Sequence, residues 1–135
     1  MRIVGGELRG RRLSASRGRA LRPTTARVRE ALFDVLEHGL AGRAPLAGGR
    51  IVDVFAGTGM LGFEAISRGA ARACFVERGG EALTLLRRNA ERLGVSERIT
   101  LVRRDATRLG PAAEGFACAF LDPPYRSGLA PAALR

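Results

Sequence analysis

Residues 53–70 have the sequence DVFAGTGMLGFEAISRGA, in which Gly57, Gly59 and Gly62 form the pattern G-x-G-x-x-G between an apolar run and a helical pattern. Glycines at this spacing allow a backbone to approach a nucleotide at the start of a helix. The pattern therefore predicts a nucleotide-binding loop, and by itself it leaves the nucleotide open. We interpret Gly62 instead as a small residue on the first turn of the helix, where it packs against a sheet.

The segments around this loop alternate between apolar runs and helical patterns. We predict helices at 60–69 and 80–94, and strands at 50–56, 71–77, 98–105 and 114–122. Near-continuous apolar strands separated by helices are typical of a parallel sheet that is covered on both faces. The sequence thus predicts a doubly wound, mainly parallel α/β fold of the Rossmann-like kind.

The N-terminal part predicts a hairpin, a linker and a helix. In residues 2–13, RIV and RRL flank GGELRG, which favours a tight turn, and a polar linker continues to residue 22. A helix capped by Thr24 or Thr25 follows Pro23. Its predicted apolar face consists of Val28, Ala31, Leu32, Val35 and Leu36. We therefore divide the chain into a basic hairpin and linker, 1–22, and a domain, 23–135.

The positive charge is concentrated at the N-terminus. The chain has a formal net charge of +10, of which residues 1–29, with nine arginines and the single acid Glu7, carry +8. A flexible basic arm ahead of a nearly neutral domain is expected of a protein that binds a phosphate backbone. Nucleic acid is therefore the predicted partner.

Composition excludes several other classes. The first residues lack the apolar region of a signal peptide, and no apolar run approaches 18 residues, so we expect a cytoplasmic protein without a membrane partner. Cys74 and Cys118 are isolated, which predicts buried free thiols rather than a disulfide or zinc site. His38, the only histidine, lies in the last turn of the first helix, where it complements the helix dipole.

A carboxylate lies in or at the end of each predicted strand. These residues are Asp53, Glu77, Asp105 and Asp122. In an open α/β sheet, ligands bind outside the carboxyl ends of the strands. Glu77 follows Gly57 by twenty residues, a spacing that suits the ribose hydroxyls of a bound adenosine. That spacing serves NAD and S-adenosylmethionine equally.

The sequence Asp122-Pro123-Pro124-Tyr125 after the fourth strand favours S-adenosylmethionine. The Asp122 carboxylate and a backbone carbonyl at Pro123 can accept the two N–H hydrogens of an exocyclic amine and aim its lone pair at a sulfonium methyl. Two prolines fix the backbone, and Tyr125 offers a face on which a base can stack. Such a methyl transfer requires no metal.

The chain resembles a known family at these positions. DVFAGTG together with Glu77, Asp105 and DPPY resembles the class I S-adenosylmethionine-dependent N-methyltransferases. The segments RIVGGELRGRRL and RPTTARVREALFDVL resemble the RsmD-type enzymes, which methylate N2 of a guanine in bacterial small-subunit (16S) rRNA. The resemblance spans essentially the whole chain.

The resemblance implies a role for particular residues. It implies cofactor contacts from Asp53, Phe55, Gly57, Gly59, Glu77, Asp105 and Ala106. It implies contacts to the target amine from Asp122, Pro123, Pro124 and Tyr125. It implies rRNA contacts from Arg2, Arg9, Arg11, Arg12, Arg22 and Arg27, with Arg22, Thr24 and Arg27 beside the mouth of the active site.

The chain departs from the family in its number of strands. The family's sheet has seven strands in the order 3-2-1-4-5-7-6, and only the first four are predicted here. The fourth would then lie at an edge, although its apolar pattern suits burial. We therefore expect the 135 residues to be part of a longer enzyme.

Three alternatives stay open. The chain could be a non-catalytic RNA-binding fragment, an N-methyltransferase acting on adenine in RNA or DNA, or an NAD(P) dehydrogenase, although no catalytic pair for hydride transfer accompanies the loop. The expected substrate is 16S rRNA or an assembly intermediate of the small ribosomal subunit. We expect a monomer.

Overall fold

Four parallel strands form one sheet in the described part of the chain. The computed structural model describes residues 1–14, 26–38, 46–54, 56–105 and 115–121. The strands are β1 (Arg50–Val54), β2 (Arg72–Glu77), β3 (Ile99–Arg103) and β4 (Cys118–Leu121). The helices are α1 (Ala26–His38), α2 (Met60–Ser67) and α3 (Gly80–Leu93), with a 3-10 turn at Ser96–Arg98.

The order of the strands is β3-β2-β1-β4, and all neighbours run parallel. This confirms the predicted doubly wound α/β fold. The chain adds strands on one side of β1 and then crosses to the other side for β4, so the direction of winding reverses between β1 and β4. Ligands of open α/β sheets bind outside the carboxyl ends of the strands at such a point.

Aromatic side chains fill the core between the sheet and the helices. Phe63 of α2 and Phe75 of β2 are fully buried, with ring centroids 4.8 Å apart. Phe33 of α1 lies 5.5 Å from Phe120 of β4 by the same measure. Among the described residues, none of the helices has the length and apolar character needed to span a bilayer.

The predicted apolar face of α1 is wrong. Val28, Leu32 and Val35 are 55%, 40% and 46% exposed. The buried face instead carries Arg29, 3% exposed, and Phe33, together with Leu36 from the predicted set. Arg29, Phe33 and Leu36 have the helical spacing i, i+4, i+7, which is as compatible with a buried helix face as the spacing of the predicted set. It is favoured because Phe33 packs on β4 and because Arg29 finds a buried acidic partner.

The N-terminal residues form a hairpin that is folded onto the domain. Residues 1–14, here the N-terminal hairpin, contain one antiparallel bridge between Arg2 and Arg12. The apolar side chains Ile3 and Leu13 are 1% and 4% exposed. The predicted hairpin is therefore present, but the expectation of a flexible arm is wrong for these residues.

The buried carboxylate of Glu64, in α2, holds the N-terminal hairpin in place. Its side chain is fully buried and accepts hydrogen bonds from the backbone N–H groups of Val4 at 2.9 Å and Gly5 at 3.1 Å. It also accepts a bond from Arg68 Nε at 3.0 Å and pairs with Arg29 Nε at 3.8 Å. One charge thus joins the hairpin to both α1 and α2.

The two arginines extend this network. Arg68 reaches Asp34 at 3.0 Å and Glu37 at 3.3 Å on α1. Burial opposes its charge, but the bonds to Glu64 and Asp34 outweigh burial and hold the pKa of Arg68 above its ordinary value. Arg29 donates to the carbonyl of Arg2 at 2.8 Å. Burial lowers the pKa of Arg29, and the charge of Glu64 opposes that shift.

The two cysteines are free and half-buried rather than fully buried as predicted. Cys74 pairs with Val52 and Cys118 with Ile51, so β1 lies between them and their side chains point to opposite faces. Two strand spacings separate them by about 10 Å, beyond the reach of a disulfide. Burial raises the pKa of both thiols, which keeps them protonated at neutral pH.

Replacement of Glu64 by Gln should destabilise the fold. The change leaves Arg68 and Arg29 buried without their shared carboxylate, so we expect the free energy of unfolding to fall by about 3 kcal/mol, as measured by urea denaturation. Glu30→Gln, on an exposed position of α1, is the control and should change little. A loss no larger than that of the control would show that the network contributes nothing to stability.

Candidate functional site

The glycine loop, residues 56–59, joins β1 to α2 and adopts a conformation that requires glycine. Gly57 and Gly59 have φ angles of 56° and 82°, in the left-handed region, and Gly59 is the N-cap of α2. A Cβ atom at Gly59 would lie 2.5 Å from the side chain of Leu86 in α3. The loop therefore passes close to α3 and leaves no room for a larger residue.

Asp53 supports the helix that follows the loop. It is 2% exposed in β1, and its Oδ2 atom accepts a hydrogen bond from Gly62 N at 3.0 Å. A carboxylate at this point satisfies a free N–H group and complements the helix dipole. The predicted cofactor residue thus fixes the start of α2 relative to β1.

Gly62 packs against the sheet, in agreement with its interpretation from sequence. A Cβ atom there would lie 2.3 Å from Cε1 of Phe75. The third glycine of the motif therefore allows α2 to approach β2 closely.

Glu77 connects the end of β2 to the glycine loop. Its Oε2 atom accepts a hydrogen bond from Gly57 N at 2.9 Å, and its Oε1 atom accepts from Arg78 N at 2.9 Å and Gly79 N at 3.2 Å. A carboxylate offers about four acceptor sites, so Oε2 retains capacity for a further donor. The half-exposed carboxylate both orders the loop and can accept a ligand hydroxyl.

Asp105 extends the acidic edge of the sheet. It lies two residues beyond β3, is half-buried, and pairs with the exposed Arg78 at 3.7 Å. Exposed ion pairs of this kind contribute little to stability. Asp53, Glu77 and Asp105 therefore all lie near the carboxyl ends of neighbouring strands, as predicted.

Several predicted site residues lie outside the described residues. They are Arg22, Thr24, Phe55, Ala106, Asp122, Pro123, Pro124 and Tyr125. β4 ends at Leu121, which pairs with Val54 at the end of β1, and Asp122 is the next residue in the sequence.

The structure reveals a contact that the sequence analysis missed. Asn89 of α3 is fully buried and donates from Nδ2 to the carbonyls of Ser14 at 3.1 Å and Thr58 at 3.2 Å. Its Oδ1 atom accepts from Ser14 N at 2.9 Å. In the sequence, this role of Asn89 could have been suspected from the position of a polar amide on the apolar face of α3, between Leu86 and Ala90.

The described arginines of the predicted RNA surface are exposed. These are Arg2, Arg9, Arg11 and Arg12 of the hairpin and Arg27 of α1. Arg11 donates to the carbonyl of Arg92, which ties the basic hairpin to α3. Within the described ranges, no three side chains of His, Cys, Asp or Glu lie close enough to hold a metal ion.

A parallel sheet of this order, with a glycine loop after its central strand and an acid at the end of the next, defines a Rossmann-like α/β protein. The chain belongs to the family described as Conserved hypothetical protein 95, whose model matches residues 1–135. This confirms the resemblance that the sequence motifs indicate.

Individual relatives agree with the family. YlbH from Bacillus subtilis (strain 168), provisionally named an rRNA methyltransferase, is 38% identical over 130 residues, which cover 93% of this chain and 67% of YlbH. Ribosomal RNA small subunit methyltransferase D from Escherichia coli (strain K12) is 37% identical over 130 residues, which cover 96% of this chain and 62% of the relative. The chain thus spans about two thirds of the length of these curated relatives.

The fold agrees with a solved structure of a similar protein. The Escherichia coli protein yhhF, provisionally described as a methyltransferase, matches with a TM-score of 0.80 and 34% identity, covering 98% of this chain and 68% of yhhF. The four-stranded sheet and its helices therefore have the arrangement found in methyltransferase structures.

Proposed function

We propose that the protein transfers a methyl group from S-adenosylmethionine to the exocyclic N2 amine of a guanine in bacterial 16S rRNA. The observation that carries the proposal is the glycine loop, held by Glu77 at the carboxyl end of the sheet and followed after β4 by the sequence DPPY. The relatives named as rRNA methyltransferases support the methylation of rRNA.

The residues at the loop fit an adenosine-containing methyl donor. Gly57 and Gly59 permit the left-handed backbone of the loop, and the spare acceptor capacity of Glu77 suits a ribose hydroxyl. By analogy with the family, Asp105 and Ala106 would hold the adenine, and Phe55, Gly57 and Gly59 would line the rest of the molecule. Asp53, implied by the same analogy, is buried and would act through the loop that it supports. When bound, this group supplies a methyl carbon with a good sulfur leaving group.

The DPPY sequence would present the amine. Asp122 and the Pro123 carbonyl accept its two N–H hydrogens, which fixes the nitrogen and leaves its lone pair directed toward the methyl carbon. The nitrogen would bond to the methyl carbon while the sulfur leaves with the S–C electron pair, and the Asp122 carboxylate would offset the positive charge that grows on the nitrogen. One of the two N–H protons would then leave to the Asp122 carboxylate, which already accepts its hydrogen bond. Tyr125 stacks on the base, and Pro124 keeps the loop ordered.

The N-terminal hairpin would contact the rRNA backbone. Its exposed arginines occupy a folded surface, so they are already arranged when the RNA arrives and lose less conformational freedom on binding. Arg22 and Arg27 would extend this surface toward the active site. The substrate is 16S rRNA or an assembly intermediate of the small subunit, and the protein acts in the cytoplasm as a monomer, without a metal.

Glu77 should be needed for cofactor binding. Glu77→Ala removes the acceptor for the ribose and the carboxylate that orders the glycine loop, so we expect the dissociation constant for S-adenosylmethionine to rise at least about tenfold, measured by calorimetry. Glu81→Ala, an exposed position in the first turn of α3, should leave it unchanged. Binding of NAD in place of S-adenosylmethionine by the native protein would favour a dehydrogenase instead.

Asp122 should be needed for turnover. With methyl-labelled S-adenosylmethionine and small ribosomal subunits, the native protein should label guanine, and Asp122→Ala should lower kcat about 100-fold while RNA binding persists. Label on adenine or on DNA would refute the substrate. RNA binding without label from the native protein would favour the non-catalytic RNA-binding alternative.

A further inference from the structure

The glycine loop depends on other segments to fix its backbone. Gly57 and Gly59 flank Thr58 and can rotate more freely than other residues. Three contacts limit this freedom: Glu77 holds Gly57 N, Asp53 holds Gly62 N, and Asn89 holds the Thr58 carbonyl. Asn89 also binds the N-terminal hairpin directly, through the backbone of Ser14.

Asn89 divides its hydrogen-bonding groups between the two segments. A side-chain amide has two N–H donors and one carbonyl oxygen. One donor and the oxygen form a pair of bonds with the backbone of Ser14, and Nδ2 also bonds to the Thr58 carbonyl. Because Asn89 is fully buried, any of these groups left unpaired would be costly. The bonds of Asn89 to Ser14 and its bond to Thr58 are therefore coupled, because each holds the amide in the orientation that the other requires.

The position of Asn89 is fixed by the core. Its neighbours on α3, Leu86, Ala90 and Leu93, are buried beneath the helix. On the hairpin side, Arg92 donates to Ser14 Oγ at 2.7 Å, and Arg11 donates to the Arg92 carbonyl. One of the exposed arginines proposed to bind RNA is thus linked through α3 to the residue that Asn89 holds.

We infer that Asn89 is a positioning residue that couples RNA binding at the N-terminal hairpin to cofactor binding at the glycine loop. This inference rests on the proposed function. RNA that engages the hairpin stabilises the folded state in which Ser14 is bonded to Asn89, and that state holds the Thr58 carbonyl. The loop is then ordered before the cofactor binds, which raises cofactor affinity, and by linkage the cofactor raises RNA affinity by the same factor.

The test compares two dissociation constants for one ligand and takes their ratio, the value without RNA divided by the value with RNA. The dissociation constant for S-adenosylhomocysteine, which cannot transfer a methyl group, is measured by equilibrium dialysis with and without a saturating 16S rRNA transcript. In the native protein we expect RNA to tighten binding at least about fivefold. In Asn89→Ala the ratio should fall to one. Thr84→Ala, which removes a hydroxyl from the exposed face of α3 that, among the described residues, bonds to the Gly80 carbonyl of the same helix rather than to the hairpin or the glycine loop, should keep the native ratio.

A second variant keeps the test valid if Asn89→Ala does not fold. Ser14→Pro removes the N–H that donates to Asn89 and replaces no side chain of the apolar core, and the ratio should again fall toward one. A residue of purely structural importance would raise both dissociation constants and leave their ratio native, which would overturn the inference. A ratio of one in the native protein would overturn it as well, whereas failure to bind S-adenosylhomocysteine or RNA at all would overturn the proposed function itself.

Discussion

The buried carboxylate of Glu64 is the interaction on which the arrangement of the N-terminal half depends. It accepts hydrogen bonds from the hairpin backbone and from Arg68, and it pairs with Arg29 of α1. A buried charge is tolerated only where such partners surround it, because desolvation otherwise costs several kcal/mol, or about the whole stability margin of a small domain. The charge requirement thus selects one position for the hairpin and one rotation for α1, and it presents the basic hairpin as a preformed surface.

Hydrogen bonds to carboxylates also fix the glycine loop. Glycine residues restrict the backbone little, and the side chains of Glu77 and Asp53 supply the missing restraint. Asp53 and Glu77 were expected to contact a ligand, and their observed bonds are to the backbone of the loop and of α2. For Glu77 the two roles are compatible, because its carboxylate retains an acceptor site. Asp53 is buried beneath the loop and acts on its shape. A site that is ordered before the ligand binds loses less entropy on binding.

Local sequence patterns predicted most of the helices and strands. The features that these patterns did not predict depend on contacts between residues far apart in the sequence. The strands and the helices α2 and α3 follow from apolar runs and glycine positions, and so does the packing role of Gly62. The buried face of α1 does not, because Arg29 is buried through a partner 35 positions away in the sequence, Glu64. The hairpin depends on the same residue, about 60 positions from Val4. Asn89 likewise serves Ser14 and Thr58, neither of which its own helix pattern reveals. The predicted roles of Asp122 to Tyr125 remain predictions, since those residues lie outside the described ranges.

We propose that the glycine loop and the DPPY sequence together direct a methyl group to a guanine amine of small-subunit rRNA. The most direct measurement is nucleoside mass spectrometry of 16S rRNA from the source organism with the gene intact and with it deleted. We expect the deletion to remove one N2-methylguanosine per rRNA molecule, and we expect the native gene, but not its Asp122→Ala form, to restore it. An unchanged N2-methylguanosine content after deletion, or loss of a different methylated nucleoside, would contradict it.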